Sequence, residues 1–253
     1  MPLLAAFIVP HPPLIVPAVG KGEEQKIKKT IDSYLEVARR IERMKPETIV
    51  LISPHAILYA DYFHVSPGAG AEGDLSHFRA PGERYAVKYD QALAAAISAA
   101  AGREGIPAGG LGEKNRRLDH GTMVPLHFVN RHFQDYELVR VSVSGLSPLV
   151  HYRFGKCLAE AIENSGKRVV LIASGDLSHK LKSDGPYGFA SEGPAFDKEV
   201  TDAMASAEFG RFLQFDEDFC EGDAARCSQT VQLDAQADAC RANVHALDPA
   251  QLL

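Results

Sequence analysis

At 253 residues and 45% hydrophobic content, the chain is long enough for one large domain with a sizeable core. A net charge of −6 disfavours the basic surface that nucleic acid or an anionic membrane would need, which leaves small-molecule chemistry. No apolar stretch approaches the ~20 residues of a membrane span, and Met1-Pro2-Leu3-Leu4 lacks the basic region of a signal peptide. The expected setting is therefore soluble and cytoplasmic, with reduced thiols at Cys157, Cys220, Cys227 and Cys240, none of which forms a CxxC pair.

The chain opens with the apolar run Leu3 to Val9, which leads through Pro10 to His11. A continuous run of this kind predicts a strand buried on both faces, and the prolines of Pro10-His11-Pro12-Pro13 stiffen the loop after it. Ile27, Ile31, Leu35, Ala38 and Ile41 then recur at helical spacing, predicting an amphipathic helix over 23–44. A second buried strand, Ile49 to Ile52, leads through Ser53-Pro54 to His55. Residues 56–89 hold β-prone pieces at 62–65 and 85–89 separated by the Gly/Ala-rich stretch 68–73, which fits a hairpin or flap over the sheet edge. An Ala-rich helix over 90–102 follows, then a helix capped by Asp119 or Thr122 and running to about His132. Strand 138–143, helix 148–165 and strand 168–173 complete the alternation; the last leads through Ser174-Gly175-Asp176 to His179. The fold expected is a single α/β domain over 1–228, with a central mostly parallel or mixed sheet flanked by helices and a site at the carboxyl ends of its strands. Residues 229–253 are polar and Ala/Asp/Gln-rich, a tail expected to be a surface helix or poorly ordered and to add little to the core.

Three strands that each deliver a histidine to one edge point to a metal or acid/base site. His11 and His55, at equivalent strand ends, are the candidate metal ligands. His179 is the candidate general acid/base, with Asp176 able to orient a neighbouring imidazole through its Nδ1–H; the alternative for this pair is a loop cap. His120, in Asp119-His120-Gly121, reaches the same edge or else begins a helix in solvent. Surface or helix-face roles are expected for His64, His77, His127, His132, His151 and His245. The acidic residues Asp216, Glu217, Asp218, Glu221 and Asp223 read as a solvated loop, yet two histidines and one carboxylate would hold non-haem Fe(II) with three positions open.

Four ordered pieces, Pro10-His11-Pro12-Pro13, Ser53-Pro54-His55-Ala56, the stretch Leu118 to Leu126 and the stretch Ala173 to His179, resemble the class III extradiol dioxygenases. The resemblance is to their catalytic B-subunit superfamily, in the branch of Memo-like proteins grouped with a radical enzyme, and covers residues 1 to about 227. It implies that His11 and His55 ligate Fe(II), that His179 deprotonates a catechol, and that His120 donates a hydrogen bond near substrate or O₂. Memo-like relatives place a cysteine as third ligand, which favours Cys227; Glu221 is the nearest carboxylate alternative. The chain departs from that pattern at Ala225-Arg226-Cys227-Ser228, where Glu-Cys-Gly and an apolar strand are expected, so the third ligand is compromised and weak oxygenase activity is expected. The activity implied is extradiol cleavage of a catechol-like aromatic by O₂, with a small partner subunit or a second copy as the macromolecular partner. The alternative is a Memo-like protein that binds copper or iron, works with a partner enzyme and cleaves no ring; a Cys227 ligand would also suit Cu or Zn. A catalytically dead scaffold is the third reading, should Arg226 place its cation at the metal position.

Overall fold

The apolar runs become the centre of the molecule in the computed structural model, which describes residues 2–113, 117–185 and 187–215. In chain order the elements are β1 (Leu3–Val9), α1 (Pro17–Gly20), α2 (Lys28–Met44), β2 (Thr48–Ser53), β3 (Phe63–His64), β4 (Gly70–Leu75), β5 (Ala80–Lys88), α3 (Gln91–Arg103), β6 (Ala108–Gly109), α4 (His120–Val129), β7 (Glu137–Ser142), α5 (Pro148–Ser165), β8 (Val169–Ser174) and α6 (Glu192–Ser206).

Four strands form the main sheet in the order β1-β8-β2-β7, every pairing parallel. Parallel strands need helical crossovers, so helices cover both faces and each strand must be apolar on both sides. Alternation within β2 shows the consequence. Ile49 and Leu51 pack with Tyr34, Val37 and Ile41 of α2 and with Met123, Val124 and Leu126 of α4. Val50 and Ile52 face the other way, toward Leu93 and Ile97 of α3 and Phe154, Leu158 and Ile162 of α5. A smaller cluster, Phe196, Val200 and Ala203 of α6 with Phe212, stands apart and touches the sheet through Ile8. This is the α/β class with a parallel sheet that the sequence predicts. Among the described residues no helix is long and apolar enough to cross a membrane.

Several elements differ in detail from the sequence reading. The helix expected over 23–44 begins as a 3-10 turn, Glu23–Ile27, before α2 starts. The Gly/Ala-rich stretch does not separate strands; most of it is β4, paired antiparallel with β5. Its glycine has a packing reason, since a Cβ on Gly73 would sit 2.9 Å from Leu118 Cβ and from Met123 Sδ, where the hairpin rests against the start of α4. That helix ends at Val129, with Asp119 as its cap: Asp119 Oδ1 accepts from the Thr122 amide at 3.0 Å. His64 departs from the surface or helix-face role expected of it: it lies on β3 and is fully buried. His127 and His151 do take helix faces, but inward-facing ones. The polar tail 229–253, the acidic residues from Asp216 to Asp223, and Cys220, Cys227, Cys240 and His245 lie outside the described residues.

Candidate metal centre at the carboxyl edge of the sheet

Parallel pairing puts the ends of β1, β2 and β8 side by side: Val9 is in register with Ser174, and Ile52 with Ala173. The loops leaving these ends carry His11, His55 and the Asp176–His179 segment. His11 Nε2 and His55 Nε2 are 3.0 Å apart. The helix α4 adds His120, whose ring centroid lies 4.0 Å from that of His55 and 5.5 Å from that of His11. One donor nitrogen from each of the three histidines falls within 4.8 Å of the other two. Phe78, at the turn of the β4–β5 hairpin, packs edge-on against His120 with centroids 5.3 Å apart, so the hairpin reaches the site as a flap would.

A proline sets the tautomer of His11. Within α4, Pro125 has no N–H, and the residue four positions before it, Gly121, therefore lacks the usual helical donor to its carbonyl. Ser174 fills that vacancy: its hydroxyl donates to the Gly121 carbonyl at 2.5 Å. A serine has one hydroxyl proton, so at its 2.9 Å contact with His11 Nδ1 the Ser174 oxygen must accept. His11 thus carries its proton on Nδ1 and presents the lone pair of Nε2 to the cluster. That is the tautomer a metal ligand needs, oriented by a hydrogen bond to its other nitrogen.

The loop around His11 is held twice more. Tyr34, buried and stacked on Phe128, donates its hydroxyl to the Pro10 carbonyl. The Asp176 carboxylate accepts the His11 backbone N–H at 2.6 Å. On the other side, His55 donates its backbone N–H to Ser53 Oγ at 3.2 Å, and Ser53 donates to Asp119 Oδ1 at 2.6 Å. Burial, first of all, lowers the pKa of His11; the Asp176 carboxylate opposes this and His55 adds to it. Burial likewise pushes His120 down to about 4, assisted by His55 and His11. Imidazoles held neutral offer lone pairs, so the donor set fits a divalent transition ion. His55 is exposed, leaving a path from solvent to the cluster.

The structure thus groups His11, His55 and His120, and places the other two candidates beside them. Asp176 Oδ2 lies 3.9 Å from His11 Nε2 and 3.7 Å from His179 Nε2. Among the described residues its hydrogen bond goes to the His11 backbone rather than to an Nδ1–H of His179, and no helix follows for it to cap until α6. The His179 side chain is 37% exposed and packs against Tyr187, centroids 5.1 Å apart. Cys227 and Glu221 lie outside the described residues. A cavity of about 700 Å³ lined by Lys45, Lys88, Tyr136 and Lys167 opens at the amino ends of the strands, far from the histidines along the sheet.

Sequence reasoning passed over Ser53, Ser174, Asp119 as a hub, and Arg140. The serines carried a signal, since each is the last residue of a buried parallel strand and precedes a histidine loop. Arg140 carried another: a cation in the middle of an apolar strand, Leu138-Val139-Arg140-Val141, has to be buried with partners.

The chain is similar in sequence to several known proteins. Protein CA_C1420 of Clostridium acetobutylicum is 36% identical over 242 residues, covering 92% of this chain and 52% of that protein. The 2-aminophenol 1,6-dioxygenase beta subunit of a Pseudomonas species is 26% identical, covering 70% of this chain and 63% of its own. The 3,4-dihydroxyphenylacetate 2,3-dioxygenase of Escherichia coli is 25% identical, over 76% of this chain and 75% of the enzyme. The chain spans about half the length of the first of these relatives and under two thirds of the second. The family pattern described as the catalytic LigB subunit of aromatic ring-opening dioxygenase matches residues 5–233, a span that contains His11, His55, His120 and His179, and the chain belongs to that family.

Proposed function

We propose that the protein is a non-haem Fe(II)-dependent extradiol-type dioxygenase acting on a catechol-like aromatic. The observation that carries this reading is the gathering of His11, His55 and His120 nitrogens within 4.8 Å at the carboxyl edge, with His179 alongside. In it, His11 and His55 hold the ion through neutral nitrogens, and Glu221 or Cys227 completes the set. A bound ferrous ion supplies Lewis acidity toward a diolate and one-electron exchange with O₂. The chain's residues supply the rest. His179 takes the catechol proton at Nε2, the nitrogen that faces Asp176, and later returns it. His120, kept neutral by burial, donates a hydrogen bond to substrate or O₂, and Phe78 excludes water beside it.

A second reading, a metal-binding protein without ring cleavage that works with a partner enzyme, is favoured by the donor set itself. Among the described residues it contains three imidazoles and no carboxylate. Metal content of anaerobically purified protein, measured with O₂ uptake against a panel of catechols, separates the two. Iron with catechol-dependent uptake supports the oxygenase. Stoichiometric metal without uptake supports the binding protein.

A further inference from the structure

Arg140 lies mid-strand in β7 with a side chain 2% exposed. A guanidinium is costly to bury unless its donors are matched. Here Nε donates to Ser66 Oγ at 2.8 Å, Nη1 to the Arg117 carbonyl at 2.8 Å, and Nη2 to Glu113 Oε1 at 2.6 Å. Nη1 also stands 3.5 Å from Asp119 Oδ2. Glu113, Arg117 and Asp119 belong to the stretch that leads into α4, so one cation pins the approach to the helix that carries His120.

Asp119 passes this restraint on in two directions. Its Oδ1 accepts the Thr122 amide at 3.0 Å and its Oδ2 accepts Thr122 Oγ1 at 2.9 Å, which sets the first turn of α4. Its Oδ1 also accepts Ser53 Oγ at 2.6 Å, and Ser53 accepts the His55 backbone N–H. Little slack separates these parts: a Cβ at Gly121 would collide with Ser53 Oγ and stand 3.3 Å from His55 Cδ2. The same carboxylate therefore governs the turn that presents His55 and the turn that presents His120.

We infer that Arg140 is a positioning residue for the histidine cluster, acting through Asp119 on both His55 and His120. The inference rests on reading that cluster as a metal site. A purely architectural Arg140, holding Ser66, Glu113 and Arg117 to the sheet, would change thermal stability and leave metal affinity where it was.

The test is Co(II) titration of the metal-free full chain, followed by visible absorption, with circular dichroism and thermal melting on every variant. Arg140→Met keeps most of the side-chain volume and removes the cation. It is expected to weaken Co(II) binding by ~10–100-fold, the usual range for partners of ligating residues. Arg140→Lys, which keeps charge but gathers its donors on one nitrogen and cannot span acceptors arrayed around Nε, Nη1 and Nη2, is expected to recover only part of that. Asp119→Asn is expected to weaken binding similarly, and the double variant no further than the weaker single one, because both act on one path. Wild-type affinity in folded Arg140→Met, or losses that simply add, overturns the inference while leaving the metal site standing. If Arg140→Met does not fold, wild-type affinity in Asp119→Asn overturns it instead. A wild-type chain that takes up no Co(II) overturns the metal reading, and this inference with it.

Discussion

Ser174→Ala separates what stabilises the fold from what prepares the ligand. The substitution removes a hydroxyl with no solvent exposure that serves two neighbours, the Gly121 carbonyl and His11 Nδ1–H. Pro125 cannot donate to Gly121, so the carbonyl is left unmatched. A buried group stranded in this way costs roughly 1–3 kcal/mol, and the imidazole N–H adds a second loss of the same kind, for a total of about 2–6 kcal/mol. The tautomer of His11 is no longer dictated, and metal affinity should fall ~10–100-fold. Chemical denaturation reads the first effect and Co(II) titration the second. Adding Pro125→Ala then divides them: the new amide at 125 can donate to Gly121, which should recover part of the stability, while His11 Nδ1 still lacks its acceptor and affinity stays low. A Ser174→Ala protein with wild-type stability and wild-type affinity would refute the chain of reasoning from proline to tautomer. Recovery of affinity by Pro125→Ala would refute its last step.

His11→Ala and His55→Ala should each abolish tight binding of one equivalent of metal while circular dichroism stays native; unchanged stoichiometry in both would remove them from the site. His179→Ala should keep its metal and lose catechol-dependent O₂ uptake by ~10²–10⁴-fold, the range for a positioned acid/base, and loss of the metal would instead make His179 a ligand. Stability should fall as pH drops through the window from 6.5 to about 4, because burial holds His64 and His151 down to about 4 in the folded chain. Within that window the unfolded chain binds more protons, so stability rises with pH, by up to ~1.4 kcal/mol per pH unit for each histidine. The geometry of His151 agrees, since its Nε2 accepts the Ser144 amide at 3.3 Å and a proton there would face another N–H. Urea unfolding from pH 4 to 7 checks the slope; a flat profile, or one that His151→Phe leaves unchanged, counts against it.

The parallel sheet was legible in the chain because its strands are buried on both faces, and that demand writes uninterrupted apolar runs into the sequence: Val169 to Ala173 and Ile49 to Ile52 need no alignment to be seen. The placement of His11 and His55 followed from the same runs, since strands that pair in parallel end at one edge. Tertiary structure alone decided how the histidines are prepared. The link from Pro125 through Gly121 and Ser174 to His11 joins residues up to 163 positions apart, and the bond from Asp176 to the His11 amide spans 165. Hydrogen bonds of that kind leave no period in the sequence, because each depends on where a donor stands in space and on which competing partner is missing. His64 shows the same limit from the other side: one polar residue in a two-residue strand has no pattern to mark it as buried, and only the packing of β3 against the sheet placed it inside.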